Sequence, residues 1–224
     1  MKLSIIVPVL DEAATLPGLL ESLLSLLRDG CEVIVVDGGS VDASAEIAQA
    51  AGCTVLQSGR GRARQMNAGA LSASGDVLLF LHADTRLPQG AKVLIAQALS
   101  GGKTSWGRFD VCISGRPAML RVVARLMNWR SRLSGIATGD QAMFVKRAAF
   151  DALGGFPDQA LMEDIELSKR LGRLSRPACI ARCATSSGRR WEARGVWRTI
   201  FLMWRLRWDY WRGVPAKQLA GAYR

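Results

Sequence analysis

The chain has 224 residues, which suits one domain with a real core, or one domain plus a short appendage. Hydrophobic residues make up 49% and charged residues 22%, which excludes a disordered tail. The net charge of +11, from 30 Lys and Arg against 19 Asp and Glu, calls for an anionic partner: nucleotide phosphates, nucleic acid or an anionic membrane.

Leu3 to Val9 is a short apolar run rich in Ile and Val, and it predicts a buried parallel strand. Leu16 to Leu27 carries Leu at helical spacing after Asp11 and Glu12. Val33 to Val36 predicts a second strand, stopped by Asp37, Gly38 and Gly39, and Ser40 or Asp42 can cap a helix running through Ala51. A third strand is expected at Cys53 to Leu56, a helix at Arg62 to Ser74 and a fourth strand at Val77 to Leu81. Pro88 starts another helix, up to about Leu99. The second half is less regular. Strands are expected at Trp106 to Ile113, Ala142 to Val145 and Ala178 to Ala184. Helices are expected at Pro117 to Leu133, Glu163 to Leu171 and Val196 to Trp211.

This alternation predicts an α/β fold with a mostly parallel central sheet and flanking helices. Asp11-Glu12, Asp37-Gly38-Gly39-Ser40 and His82-Ala83-Asp84 each follow a strand. In such sheets ligands bind beyond the carboxyl ends of the strands, so three acidic clusters converge on one crevice. The five cysteines form an odd set with no zinc-ligand spacing, and free thiols in a reducing compartment are expected. No run of 18 apolar residues predicts a transmembrane span, and the apolar start is too short for a signal peptide. A cytoplasmic catalytic part is the expectation.

The segments SIIVPVLDEAATL and VIVVDGGSVDAS carry a family resemblance. The chain resembles family 2 glycosyltransferases of the GT-A fold, from about residue 3 to residue 195. It looks closest to small, non-processive bacterial members, some of which sit beside radical-enzyme and redox-cofactor genes. The resemblance implies a GT-A domain over 1–190, with a nucleotide half at about 1–100 and an acceptor half at about 101–190. A C-terminal amphipathic segment rich in Trp and Arg would follow at 191–224. It implies a UDP- or GDP-sugar donor, with Asp11 or Glu12 beside the nucleoside, Asp37 hydrogen-bonded to the base, and Pro8, Gly38 and Ser40 also in the nucleotide-sugar site. GRGRARQMNAGA has the glycines, basic residues and Asn-x-Gly end of the next motif. Arg62 would face the diphosphate, and Asn67 closes the motif. LFLHADT stands where the family places a D-x-D. His82 replaces the first acid, so Asp84 is the expected ligand of Mg²⁺ or Mn²⁺, with His82 nearby but not coordinating. TGDQAMFVKR matches an acceptor-side segment, which points to Gly139, Asp140 and Gln141. LMEDIELSKRL supplies the Glu-Asp pair of inverting members. Asp164 is then the base that deprotonates the acceptor hydroxyl, and Glu163 positions the acceptor. Of a longer Q-x-x-R-W motif only Arg190 and Trp191 remain.

The helix from Val196 to Trp211 puts Trp197, Ile200, Phe201, Trp204, Trp208 and Trp211 on one side, with Arg198, Arg205 and Arg212 on another face. This pattern suits a membrane interface, so a peripheral contact through 196–212 on the inner face of the cell membrane is expected. The acceptor is unknown and could be lipid-linked, and the same helix could instead form a homodimer. A dinucleotide-dependent oxidoreductase needs glycines after the first strand, which VPVLDEAA lacks, and GGKT lacks the first P-loop glycine. A nucleic-acid module leaves the acidic strand ends unexplained, so no nucleic-acid partner is expected. The altered D-x-D keeps one alternative, a non-catalytic glycosyltransferase-like scaffold at the membrane.

Overall fold

A computed structural model describes residues 1–223, so Arg224, the last residue of the expected 191–224 segment, lies outside it. Strands β1 (Leu3–Val9), β2 (Glu32–Asp37), β3 (Thr54–Gln57) and β4 (Val77–Phe80) alternate with helices α1 (Leu16–Arg28), α2 (Ser44–Ala50) and α3 (Arg62–Ser72). Then follow β5 (Thr85–Arg86), α4 (Ala91–Leu99), β6 (Trp106–Ser114), α5 (Met119–Ser134) and a 3-10 turn (Gly139–Gln141). β7 (Phe144–Lys146), α6 (Arg147–Ala152), α7 (Glu163–Gly172) and β8 (Ala178–Ser187) complete the sheet and its covering helices. Helices α8 (Arg189–Arg194), α9 (Val196–Trp211) and α10 (Ala216–Tyr223) end the chain.

The strands form one sheet in the order β3-β2-β1-β4-β7-β6-β8-β5. β3, β2, β1 and β4 are parallel, as their helical crossovers require. β7 joins β4 antiparallel, and β6 and β8 pair with each other in parallel. Side chains alternate across β1: Leu3, Ile5, Val7 and Val9 face a core with α1, while Ile6 faces a second core with α3 and α7. Both faces are buried, which explains the unbroken apolar runs in the sequence. α1 inserts Leu16, Leu19, Leu20, Leu23 and Leu26, a stripe at helical spacing. α3 lies so close to the sheet that a Cβ on Gly69 would come within 2.5 Å of Ile6 and 2.9 Å of Val36. The Asn-x-Gly end of its motif therefore has a packing reason for its glycine.

Three expectations change. α2 begins at Ser44 with Ala43 as its N-cap, so neither Ser40 nor Asp42 is the cap. Asp42 instead uses one oxygen on Ser44 and the other on the Ala13 N–H. α4 begins at Ala91 rather than Pro88, because Gly90 takes a left-handed conformation (φ 70°) just before it. Cys112 and Cys183 are bonded to each other, not free. The two are 71 residues apart, but β6 and β8 are neighbours and bring their Cα atoms to 5.5 Å. Cys31 and Cys53 are buried free thiols and Cys179 is half-buried.

Candidate active site

The carboxyl ends of β1, β2 and β4 meet at one edge, with Val9 paired to Asp37 in register. Here the loops after β1 and β2 are stitched together. The Asp11 N–H donates to Ser40 Oγ at 2.9 Å, and the Val41 N–H donates back to Asp11 Oδ1 at 2.8 Å. The Glu12 N–H donates to Ser44 Oγ at 2.9 Å. Asp11 holds a positive φ of 54° in this turn, unusual for a non-glycine residue. Asp37 is only 2% exposed and accepts from the Ser40 N–H at 2.9 Å and from Gln57 Nε2 at 3.0 Å. Burial opposes its ionisation, but the hydrogen bonds from Ser40 and Gln57 outweigh it and hold the carboxyl below the usual carboxylate range.

A cleft of about 1200 Å³ opens over these strand ends. Of the residues expected at the donor site, Pro8, Glu12, Arg62, Asp84 and Arg190 line it. Asp11, Asp37, Gly38, Ser40, Asn67 and Trp191 do not. Asn67 is spent on the Phe156 peptide: its Nδ2 donates to the carbonyl at 2.8 Å and its Oδ1 accepts from the N–H at 2.9 Å. Two lining features were missed. Gln65, 3% exposed, reaches under the strand ends and donates to the carbonyls of Val9 (2.7 Å) and Val36 (2.8 Å). Ala216, Lys217 and Ala220 of α10 close one wall. Glu12 also approaches Arg189 at 3.7 Å, which draws α8 over the β1 loop.

Asp84 accepts a long hydrogen bond from Thr85 (3.4 Å) and stands on the cleft wall. His82 also lines the cleft, with Nδ1 3.7 Å from Asp140 Oδ1. No group of three or more His, Cys, Asp or Glu among the described residues could hold a metal by itself. One carboxylate can still hold Mg²⁺ or Mn²⁺ when substrate phosphates and water supply the other oxygens, so Asp84 fits a donor-borne ion but not a protein-built cage.

The residues expected on the acceptor side divide. Gln141 is fully buried, bonded to Thr138 and Asn128, and belongs to the turn. Gly139 and Asp140 stay at the site. A Cβ on Gly139 would come within 2.2 Å of His82, so this position needs glycine for the close approach. Asp140 also accepts from Ser186 Oγ at 3.2 Å. Burial opposes its ionisation, but His82, the charge of Arg62 and the Ser186 hydroxyl hold its carboxyl low. Glu163 and Asp164 open α7, following Met162 in a left-handed conformation (φ 65°). Asp164 Oδ2 accepts from the Gly139 N–H at 2.9 Å and Oδ1 from the Ile165 N–H at 2.7 Å. A small pocket of about 10 Å³, lined by Met66, Phe80, Met143 and Phe156 as well as His82, Gly139, Glu163 and Asp164, adjoins the main cleft, and His82 lines both.

Burial pushes the Glu163 carboxyl up, and the Asp164 charge adds to the shift. Folding thus favours protonated Glu163. Its contribution is fully present below the ordinary glutamate pKa and is lost as pH rises through the raised folded value. Glu163→Gln should therefore raise the melting temperature at pH 8, and the gain should vanish below about pH 4. Melting curves at the two pH values check this, and a variant that melts lower at pH 8 would contradict it.

The sequence profile of glycosyl transferase family 2 matches residues 4–154, more than half of the chain. An undecaprenyl-phosphate 4-deoxy-4-formamido-L-arabinose transferase from Pseudomonas fluorescens is 31% identical over 171 residues, covering 67% of this chain and 48% of that protein. The chain thus spans about half the length of this curated relative. Among solved structures, S. aureus TarS in complex with UDP superposes with a TM-score of 0.68 at 18% identity, covering 84% of this chain and 60% of the other. The mannosyltransferase PcManGT from Pyrobaculum calidifontis, in complex with GDP-Man and Mn²⁺, gives 0.66 at 22% identity, covering 92% and 60%. The chain belongs to glycosyl transferase family 2 and has the GT-A fold of these enzymes.

Proposed function

We propose that the protein transfers a single sugar from a UDP- or GDP-sugar to an acceptor hydroxyl, with inversion at the anomeric carbon. The observation that carries this is the junction at His82 between the basic cleft and the pocket of Asp164. Solved relatives in complex with UDP and with GDP-Man and Mn²⁺ support the choice of donor. The donor diphosphate would lie against Arg62 and Arg190, with Pro8, Asp11, Glu12, Gly38 and Ser40 shaping the nucleoside end. A divalent ion, when bound, would be held by Asp84 and neutralise the leaving diphosphate. The Asp164 carboxylate takes the proton of the acceptor hydroxyl, whose oxygen bonds to the anomeric carbon as the bond to the diphosphate breaks. Glu163 and Asp140 flank this step and position the acceptor.

The acceptor would be lipid-linked or delivered at a membrane, with α9 resting on the inner face of the cell membrane or, alternatively, on a second copy. A panel of nucleotide sugars with Mg²⁺ or Mn²⁺, read by thermal shift and by donor hydrolysis, tests the core of the proposal. Stabilisation without any hydrolysis or transfer would favour the scaffold alternative, while no stabilisation by any nucleotide would sink donor binding.

Asp37 is proposed to act on the base through the loop it organises with Ser40. Asp37→Ala should weaken nucleotide binding by about 1–3 kcal/mol, the scale of a lost charged hydrogen bond. Calorimetry with UDP and GDP checks it, and unchanged affinity would remove Asp37 from the site.

A further inference from the structure

The acceptor side holds positive charge that the proposed transfer leaves unused. Arg130 is on α5 and Arg207 on α9, and both are half-buried. Leu206, beside Arg207, packs with Met162 and Ile165, which flank the Glu163-Asp164 pair. Ile136, just beyond α5, joins the same cluster. The segment just after α5 and the middle of α9 therefore both pack on the start of α7. Arg130 Nε and Nη2 are buried and make no hydrogen bond. Among the described residues neither guanidinium forms an ion pair.

The electrostatics agree with this placement. Burial, with the charge of Arg207 adding to it, pushes Arg130 down to about 10, while Asp164 opposes the shift. Burial also lowers Arg207, against the charges of Asp164 and Asp140. Unmet buried donors on Arg130, next to the charge of Arg207, cost free energy in the absence of a ligand. An anion between them would remove that cost. Neither arginine lines the donor cleft, which has Arg60, Arg62 and Arg190 of its own.

The surroundings narrow the ligand further. α5 exposes Val122, Leu126, Trp129 and Leu133, spaced four, three and four apart and so on one face. Arg130 lies between this stripe and the buried side of α5. Arg207 lies likewise between the exposed tryptophan stripe of α9 and its buried side. Each arginine is thus bordered by an exposed apolar stripe on its own helix.

We propose that Arg130 and Arg207 form an acceptor subsite for a phosphate ester, holding it beside Asp164. The guanidinium forks match phosphate oxygens, and the bordering stripes suit an apolar chain on that ester. This assignment rests on Asp164 being the base of the transfer.

The test is titration calorimetry of the full chain presaturated with UDP and Mn²⁺, with inorganic phosphate, glycerol 3-phosphate and farnesyl phosphate in neutral phosphatidylcholine vesicles as probes. Phosphate should bind, and Arg130→Gln and Arg207→Gln should each weaken it roughly 10-fold or more, with UDP affinity unchanged. Arg→Lys at either position should recover part of the loss. Tighter binding of farnesyl phosphate than of glycerol 3-phosphate identifies a lipid source, and equal binding a soluble ester. No phosphate binding, or equal binding by parent and both Gln variants, overturns the proposal. Because the Gln variants lose an unpaired guanidinium, they should melt no lower than the parent. A large fall in melting temperature in both Gln and Lys variants would mark a structural role and overturn it as well. If UDP itself does not bind, the donor assignment fails, and the phosphate titration without UDP still tests the arginine pair.

Discussion

Asp164→Asn should leave donor binding nearly intact and cut turnover by roughly 10²-fold or more, the scale of general-base loss. An alcohol is a poor nucleophile at neutral pH, so a base in hydrogen-bond reach of its proton sets the rate. Asp164 has the position for this. Its carboxylate is held by the N–H groups of Gly139 and Ile165, on the narrow pocket that adjoins the cleft at His82. Asn keeps the shape, and its carbonyl oxygen can accept from one of the two N–H groups, so the main loss is proton acceptance. Donor affinity by calorimetry and turnover with the true acceptor check both halves. Near-native turnover would exclude Asp164 as the base and turn attention to Glu163. That second carboxyl is the poorer candidate, since burial and the Asp164 charge favour its protonated form.

The elements of residues 1–100 were legible in the sequence because most of them are local. A buried parallel strand needs an unbroken apolar run and its crossover helix needs Leu at helical spacing; both patterns sit within single segments, as in β1 and α1. β5, with two residues, and α6, with six, are too short to carry a period, and long-range pairing decides them. The Cys112–Cys183 bond depends on which strands lie side by side, which spacing along the chain does not encode.

The site shows the same limit. Motif residues at strand ends, such as Glu12 and Asp84, reached the cleft wall because parallel strands deliver their carboxyl ends to one edge. Asn67 and Gln141 stand in equally good motif positions, yet their amides are bonded to the Phe156 peptide and to Thr138 and Asn128. Gln65, two residues before Asn67, is the one that reaches the strand ends. Side-chain direction on a helix separated these neighbours, and a motif read as letters does not contain it. Arg130 and Arg207 belong to no motif, and it is the packing of α9 and of the segment after α5 on the start of α7 that brings these parts of the chain together.

Full-length protein should sediment with anionic vesicles, less with neutral ones and less at high salt, and α9 should carry most of that binding. Trp197, Phe201, Trp204, Trp208 and Trp211 are 58–74% exposed, all on the side away from the contact that Leu206 makes with α7 and α10. Water is a poor solvent for five such rings, and fully burying a large apolar side chain is worth about 1.5–3 kcal/mol. No helix among the described residues is long and apolar enough to cross a membrane, so the stripe suits a surface contact. Arg198, Arg205 and Arg212 flank it. Each contributes about 1 kcal/mol near an anionic surface, and this part decays over roughly 8 Å at physiological ionic strength. Arg205 approaches Asp209 at 3.6 Å, but it is exposed there and the pair contributes little to folding. Replacing the three arginines with Gln should therefore weaken binding to anionic vesicles and reduce its salt dependence, with the melting temperature nearly unchanged. Trp204→Ser with Trp208→Ser should weaken binding to both vesicle types, again without loss of stability. A fall in melting temperature in either variant would mean that the stripe packs against protein, and sedimentation of the intact chain with neither vesicle would leave a second copy as its partner.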